Sequence, residues 1–306
     1  MFELLQLDET LAGTDAHAYT ACASGHAGEL LQGAVVRSGK LERVLVSIPA
    51  KQLVAHAVFA AQDNTKLQVE PTWKKKGLLA FSLASRRIAG TVPGGRLQIY
   101  SNIPIARGLG SSTADCVAAI RTAATYWQHE LSAEEVAHLA HEAECYSDST
   151  MFDDTLVLFE HCHGKMLERL PGSMPRMRML VIEDAASSTP IETDTIKRPQ
   201  YSKAELDYFA EAVQTLKQAL LQGNPHAVAD VAWMSAQINQ RYFPKPRLDR
   251  AQEIALATGG YGVAVAHSGD AIILLYPEEI SAELQKDALA QLQAGGMLCW
   301  QHLTSF

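Results

Sequence analysis

IPIARGLGSSTA, residues 103–114, carries more chemical information than any other part of the chain. It follows an apolar, strand-like run, RLQIY at 96–100. It leads into an unbroken stretch of small and apolar residues from 113 to about 127. Strand, glycine-rich loop and helix in that order set several backbone N–H groups at a helix N-terminus. Partial positive charge and unpaired donors there suit a phosphate. Gly108 and Gly110 let the backbone approach an anion with no Cβ in the way. Ser111, Ser112 and Thr113 add hydroxyls for phosphate oxygens or a magnesium ion. A Gly-Ser run ahead of a helix is equally the composition of a turn with an N-cap. The loop is not a Walker A sequence, because no GxxxxGKS/T surrounds it. Nor is it a dinucleotide fingerprint, because the third glycine is missing.

At 306 residues the chain is long enough to bury a sizeable core and to form one large or two medium domains. Lys and Arg number 26 against 34 Asp and Glu, a net charge of −8. That balance argues against nucleic acid or an anionic membrane as the main partner, so an anionic nucleotide must depend on local donors. No apolar run reaches transmembrane length. The opening MFELLQLDET lacks the basic and apolar regions of a signal peptide. Cys22, Cys116, Cys145, Cys162 and Cys299 are odd in number and widely spaced, which fits reduced thiols in the cytoplasm. His161-Cys162-His163 has ligand chemistry, although solvated residues at a strand end are the simpler account.

Residues 1–20 read as an accessory segment. Two strand-like runs within 21–47 flank GHAGELLQG, with a turn at 37–40; further strands are expected at 54–59 and 67–69. KKKG at 74–77 reads as a solvated turn, with a phosphate role as the alternative, ahead of a helix at 78–88. SAEE at 132–135 is a capping box that opens a helix to about 145, with Val136, Leu139, Ala140 and Ala143 at helical spacing. Strands at 156–159 and 178–183 precede a Thr- and Pro-rich exposed connection at 187–201. Helices are expected at 203–222 and 225–241, broken by FPKP at 243–246, and again at 248–257. Runs at 262–266 and 271–276 joined by HSGD form a hairpin. A helix at 281–293 and an edge strand at 297–303 close the chain. Strands and helices mix without strict alternation, which gives an α+β class.

Residues 104–114 resemble the phosphate loop of the GHMP kinases (galactokinase, homoserine kinase, mevalonate kinase and phosphomevalonate kinase). The second motif of that family reads P-x-x-x-G-L-G-S-S-A/S/T-A, and every defined position matches. The resemblance implies an N-terminal ATP-binding domain at 1–170, α+β and like domain 2 of ribosomal protein S5. It implies a ferredoxin-like α+β C-terminal domain at 171–306, with the site between the two. Pro104, Arg107, Gly108, Leu109, Gly110, Ser111, Ser112 and Thr113 are then the residues that wrap the ATP phosphates. ASGHAGELLQG at 23–33 resembles the first motif, which implies substrate binding by His26, Gly28 and Glu29, with Glu29 for an ammonium. By its residues alone, Glu29 is equally a solvent-facing carboxylate beside a turn. Many members carry a lysine where His26 stands, and the role of that lysine does not carry over. YGVAVAHSGD at 261–270 occupies the place of the third motif, a turn that supports the phosphate loop. GELLQG, INQ at 238–240, PKP at 244–246 and GVAVAHSG resemble one branch in particular, the L-threonine kinases of coenzyme B12 synthesis, over residues 20–276.

Glu142, Glu144, Asp148, Asp153 and Asp154 crowd the segment before the strand at 156–159. Phosphoryl transfer to an alcohol needs a metal ion on the phosphates and a group that orients the hydroxyl. In related kinases a helix ending AxxAE supplies a magnesium-binding Glu. AHEAE at 140–144 matches, which implies Glu144 and Ser112 as Mg²⁺ ligands. The same resemblance implies an Asp on the acceptor hydroxyl. Asp148 falls nearest that place and Asp153 competes. The family's G-x-P-S-G-x-D context is replaced by YSDS at 146–149, and an ordinary turn role for Asp148 stays open. The implied activity is ATP-dependent phosphorylation of a small-molecule hydroxy amino acid, L-threonine, in the cytoplasm. Homoserine, another hydroxy amino acid or an amino alcohol remain alternatives, because one methylene changes affinity by only about 1–3 kcal/mol. A nucleotide-binding regulator without turnover is an alternative of another class.

Overall fold

The computed structural model describes residues 18–63, 65–153, 155–184 and 199–305. The chain begins with a long antiparallel hairpin, β1 (Ala18–Arg37) and β2 (Lys40–Ala61), turned at Ser38 and Gly39. Around it run β3 (Leu67–Glu70), β4 (Gly95–Ser101), β5 (Val157–Glu160), β6 (Lys165–Arg169) and β7 (Met177–Asp184). β8 (Gly262–Val265), β9 (Ile272–Pro277) and β10 (Met297–Thr304) follow. The sheet order is β10-β7-β9-β8-β1-β2-β4-β3, with β5 on β2 and β6 on β5. Of these ladders only β3–β4 is parallel. A single pairing, Glu29 with Val265, carries the sheet from β1 to β8 and so across the expected boundary near residue 170.

The helices are α1 (Lys75–Ala89), α2 (Ser111–Tyr126), α3 (Ala133–Glu144), α4 (Lys203–Gln222), α5 (Pro225–Asn239), α6 (Leu248–Ala257) and α7 (Ala282–Ala294). α2 is buried along most of its length. Its alanines and short side chains let β1, β2 and α1 approach it closely. Ser132 and Glu135 form the expected capping box of α3, with bonds in both directions. Strand alternation separates two cores. Met179, Val181, Ile273 and Leu275 face the large one, which α2 fills. Leu180, Ile182, Ile272 and Leu274 face a smaller one closed by α6 and α7.

Several expectations change. Residues 1–17 and 187–198 lie outside the described residues, but Ala18–Thr20 already belong to β1. Short, half-exposed β6 carried no recognisable pattern. Lys74 is not in a solvated turn: it is 7% exposed and its ammonium is paired with the carboxylate of Asp115 on α2. The chain is turning into α1 there, and α2 offers a buried acid that a reading of Lys74's neighbours cannot see. Among the described residues no helix is long and apolar enough to cross a membrane, and no disulfide joins any of the five cysteines.

Candidate active site

The glycine loop between β4 and α2 is shaped by two residues with positive φ, Gly108 at 73° and Gly110 at 76°. A Cβ on Gly108 would lie 1.9 Å from the Ser268 carbonyl oxygen, and one on Gly110 would lie 2.6 Å from His26 Cδ2. Only glycine serves at these places. Gly110 is the N-cap of α2, no side chain caps that end, and the helix starts at Ser111, two residues earlier than expected. Its first-turn amides are therefore left for an incoming acceptor. Pro104, Gly108, Leu109, Gly110, Ser111, Ser112 and Thr113 all line one cavity.

Arg107 departs from its expected place among the phosphate contacts. Its guanidinium is held by Asp270 (2.5 Å) and Glu183 (2.9 Å), and it is absent from the cavity lining. The turn at 267–270 presses backbone to backbone on the loop: a Cβ on Gly269 would meet the Arg107 carbonyl carbon at 2.4 Å. The third-motif turn thus supports the loop, and Arg107 ties the two together.

At the base of the loop Ser112 Oγ donates to Glu144 Oε2 (2.7 Å) and Thr113 Oγ1 donates to Glu144 Oε1 (2.6 Å). α3 ends at Glu144, and Cys145 with φ 65° turns the chain away, which leaves the carboxylate aimed at the head of α2. Burial raises the Glu144 pKa to about 8, although the two hydroxyls favour its charged form. A carboxylate so placed gains from a cation, and hydroxyl and carboxylate oxygens are the donor set of a hard divalent ion. Ser112 and Glu144 therefore fit Mg²⁺.

The structure separates the two competing aspartates. Asp148 lines the cavity, its backbone N–H donates to Thr113 Oγ1 (3.2 Å), and its Oδ2 stands 3.2 Å from His26 Nε2. Asp153 has a side chain 62% exposed and is held by Arg121 at 3.1 Å on the outside of the site. Asp154 lies outside the described residues.

His26, Gly28 and Glu29 do not line the cavity, contrary to their expected part in substrate binding. They form a layer behind it. A bulge in β1 between His26 and Glu29, with Gly28 at φ 74°, brings two side chains together that strand alternation would set on opposite faces. His26 Nδ1 lies 3.5 Å from Glu29 Oε1. Gly28 packs against β8 and β9, where a Cβ would meet Ile273 Cδ1 at 2.6 Å. Burial opposes a charge on His26, yet Asp148 and then Glu29 outweigh it and raise its pKa to about 9. Burial would also raise the Asp148 pKa, but the His26 charge holds it below the ordinary aspartate value. Asp148 is thus ionised at neutral pH. Glu29 is pushed upward by burial, against the pull of His26. The ligand atoms of the three lie within 4.8 Å of one another, and the imidazolium takes the place a metal cation would have.

The far half of the cavity is lined by residues that carried no motif, among them Arg43, Leu45, Tyr201 and Phe243. His161 is there too, buried against His267 with ring centroids 5.0 Å apart, and not solvated as expected from the His-Cys-His run. His267 Nδ1 meets Gln32 Oε1 at 2.9 Å, which ties the third-motif turn to β1. Lys76 lines the same cavity beside Glu144, at the head of α2.

Comparison with known proteins accounts for this layout. The GHMP kinase N-terminal domain model matches residues 76–159, and the C-terminal one matches 216–294. An L-threonine kinase of Citrobacter freundii is 32% identical over 248 residues, 81% of this chain and 83% of that protein. The chain belongs to the GHMP kinases. An L-threonine kinase of Salmonella typhimurium is 28% identical over 81% of this chain and 79% of that protein. A homoserine kinase of Desulfitobacterium hafniense is 25% identical over 70% and 73%. The structure of homoserine kinase from Cytophaga hutchinsonii superposes with a TM-score of 0.69 at 14% identity, over 96% of each chain. That likeness shows the GHMP fold, a mixed α/β sheet in two domains. The chain is a phosphotransferase of this family, whose members use ATP as phosphate donor and act on small molecules.

Proposed function

We propose that this GHMP kinase transfers the γ-phosphoryl group of ATP to the side-chain hydroxyl of L-threonine, giving O-phospho-L-threonine and ADP. The observation that carries the reading is the convergence on one cavity wall of the uncapped α2 amides, the Ser112–Glu144 pair and Asp148. Similarity to two L-threonine kinases supports the acceptor, and the motif resemblance to the L-threonine kinases of coenzyme B12 synthesis supports a role in that pathway. ATP use and unbridged cysteines fit a cytoplasmic enzyme.

The loop amides and the Ser111 hydroxyl hold the phosphate tail, and Lys76 adds positive charge at the same end. Mg²⁺, held by Ser112 and Glu144, would supply neutralisation of the phosphate charge. Asp148 accepts a hydrogen bond from the acceptor hydroxyl and aims its oxygen at the γ-phosphorus. As that O–P bond forms and the bond to the ADP oxygen breaks, the hydroxyl proton passes to Asp148. A carboxylate held ionised is a weak base, so positioning supplies the larger part of the rate and proton transfer comes late. His26 keeps Asp148 charged and aimed.

An ADP-release screen with Mg-ATP over threonine, serine, homoserine, ethanolamine and aminopropanol tests the reading. Threonine is expected to give the highest kcat/KM, with phosphate on its side-chain oxygen by phosphorus NMR. A preference for homoserine or an amino alcohol reassigns the acceptor, and release from none of them overturns the reading.

A further inference from the structure

The acceptor half of the cavity contains a charge that phosphoryl transfer itself does not use. Arg43 and Lys76 are the arginine and the lysine on the wall, and Lys76 stands at the head of α2 where the phosphate tail is proposed to bind. Arg43 sits on β2 opposite Ala34 of β1. Its backbone carbonyl accepts from His161 N–H (3.3 Å), which fixes it against the end of β5. Its Nη1 is closed off from solvent with no hydrogen-bond partner. Among the described residues no carboxylate pairs with its side chain, although Asp148 and Glu144 share the cavity. Its charge acts on the Tyr201 phenol, whose hydroxyl donates to Asn239 Oδ1 (2.7 Å). His267, on the same side, is kept neutral by burial.

A guanidinium nitrogen closed off from water without an acceptor, as Nη1 of half-buried Arg43 is, is unfavourable, and a ligand that supplies the acceptor gains charge-assisted hydrogen bonds. The planar fork of arginine matches a carboxylate. Asp148 marks where the hydroxyl of the acceptor stands, and Arg43 offers a place on the same cavity for an anionic group of that molecule. We propose that Arg43 is the specificity-determining residue for the acceptor's α-carboxylate, so that the enzyme selects hydroxy acids over the matching amides and amino alcohols. This rests on the kinase reading above and adds to it the group that decides which alcohols are accepted.

The test compares L-threonine with L-threoninamide, which keeps the hydroxyl and ammonium but not the anionic carboxylate, in the full-length enzyme and in Arg43→Met and Arg43→Lys. The natural enzyme should favour threonine by about 30–100-fold in kcat/KM, as expected for charge-assisted hydrogen bonds. Arg43→Met should erase that preference by raising the KM for threonine. The KM for ATP and turnover of the amide should stay within about threefold, which also shows that the variant folds. Arg43→Lys should recover part of the preference. An equal loss for both acceptors, or an unchanged KM for threonine, overturns the assignment while leaving the kinase reading intact. If neither compound is phosphorylated, the threonine reading fails, and Arg43 is judged on whichever alcohol the screen finds. A carboxylate-bearing acceptor whose KM depends on Arg43 sustains the proposal, and an acceptor without a carboxylate ends it.

Discussion

Replacing His26 with Gln should affect stability and catalysis together, because this imidazolium serves two carboxylates. Asp148 stands 3.2 Å away and Glu29 3.5 Å. At an effective dielectric of about 20 the contact with ionised Asp148 represents about 5 kcal/mol of gross attraction, most of it offset by the cost of taking the charges out of water. Glu29, raised by burial to about 7, is mostly uncharged at about pH 6 and adds less. The net follows from the folded pKa of about 9 against an ordinary 6.5, which corresponds to roughly 3 kcal/mol. A raised histidine pKa gives stability that is complete below the unfolded value and lost as pH rises through the folded one. The natural enzyme should therefore exceed His26→Gln by about 3 kcal/mol in urea unfolding at pH 6, and the gap should close towards pH 10. Without the cation the Asp148 pKa rises, so the acid limb of kcat/KM should move to higher pH in the variant. Equal stability at pH 6, a gap that persists unchanged to pH 10, or an unmoved acid limb would refute the role given to His26.

Gly110→Ala must hold a φ of 76° and put its Cβ 2.6 Å from His26 Cδ2. A loss of roughly 1–2 kcal/mol in stability and at least about tenfold in ATP affinity by calorimetry is expected; unchanged nucleotide binding counts against the loop as the phosphate site. Asp148→Asn should lower kcat by about 10²–10⁴-fold with ATP binding retained. Asp153→Asn, at an exposed pair with Arg121, should stay within about twofold, and the reverse order in steady-state kinetics would exchange the two assignments. Lys74→Met leaves Asp115 buried without its cation and should cost about 3–5 kcal/mol by chemical denaturation. Adding Asp115→Leu should restore much of that, and a double variant no better than the single one speaks against the pair.

What local sequence could carry, it carried. The strand–loop–helix unit at 96–126 follows from neighbours in the chain. So do the hydroxyls at 111–113, the capping box at Ser132 and the hairpin around HSGD, since propensity, turn chemistry and periodicity are local. The relation between Glu144 and Ser112 was also legible, because a family pattern holds both. Contacts between distant segments were not. Whether Asp148 or Asp153 faces the cavity depends on how the turn after α3 packs under Gly110, and their spacing from β5 could not decide it. Arg107 had the right place for a phosphate contact, yet Glu183 and Asp270, both far along the chain, claim its guanidinium. His26 and Glu29 meet only because β1 bulges at Gly28, and Lys74 is buried only because α2 brings Asp115 to it. Arg43 shows no pattern at all in its neighbourhood; it becomes a candidate for binding the acceptor only when the fold gives it a cavity and withholds a partner carboxylate. Sequence alone thus determined the glycine loop and the hydroxyls at the head of α2, where donors are consecutive in the chain. Tertiary packing settled the charges behind and opposite it, where the energy of each group is set by residues the chain brings from elsewhere.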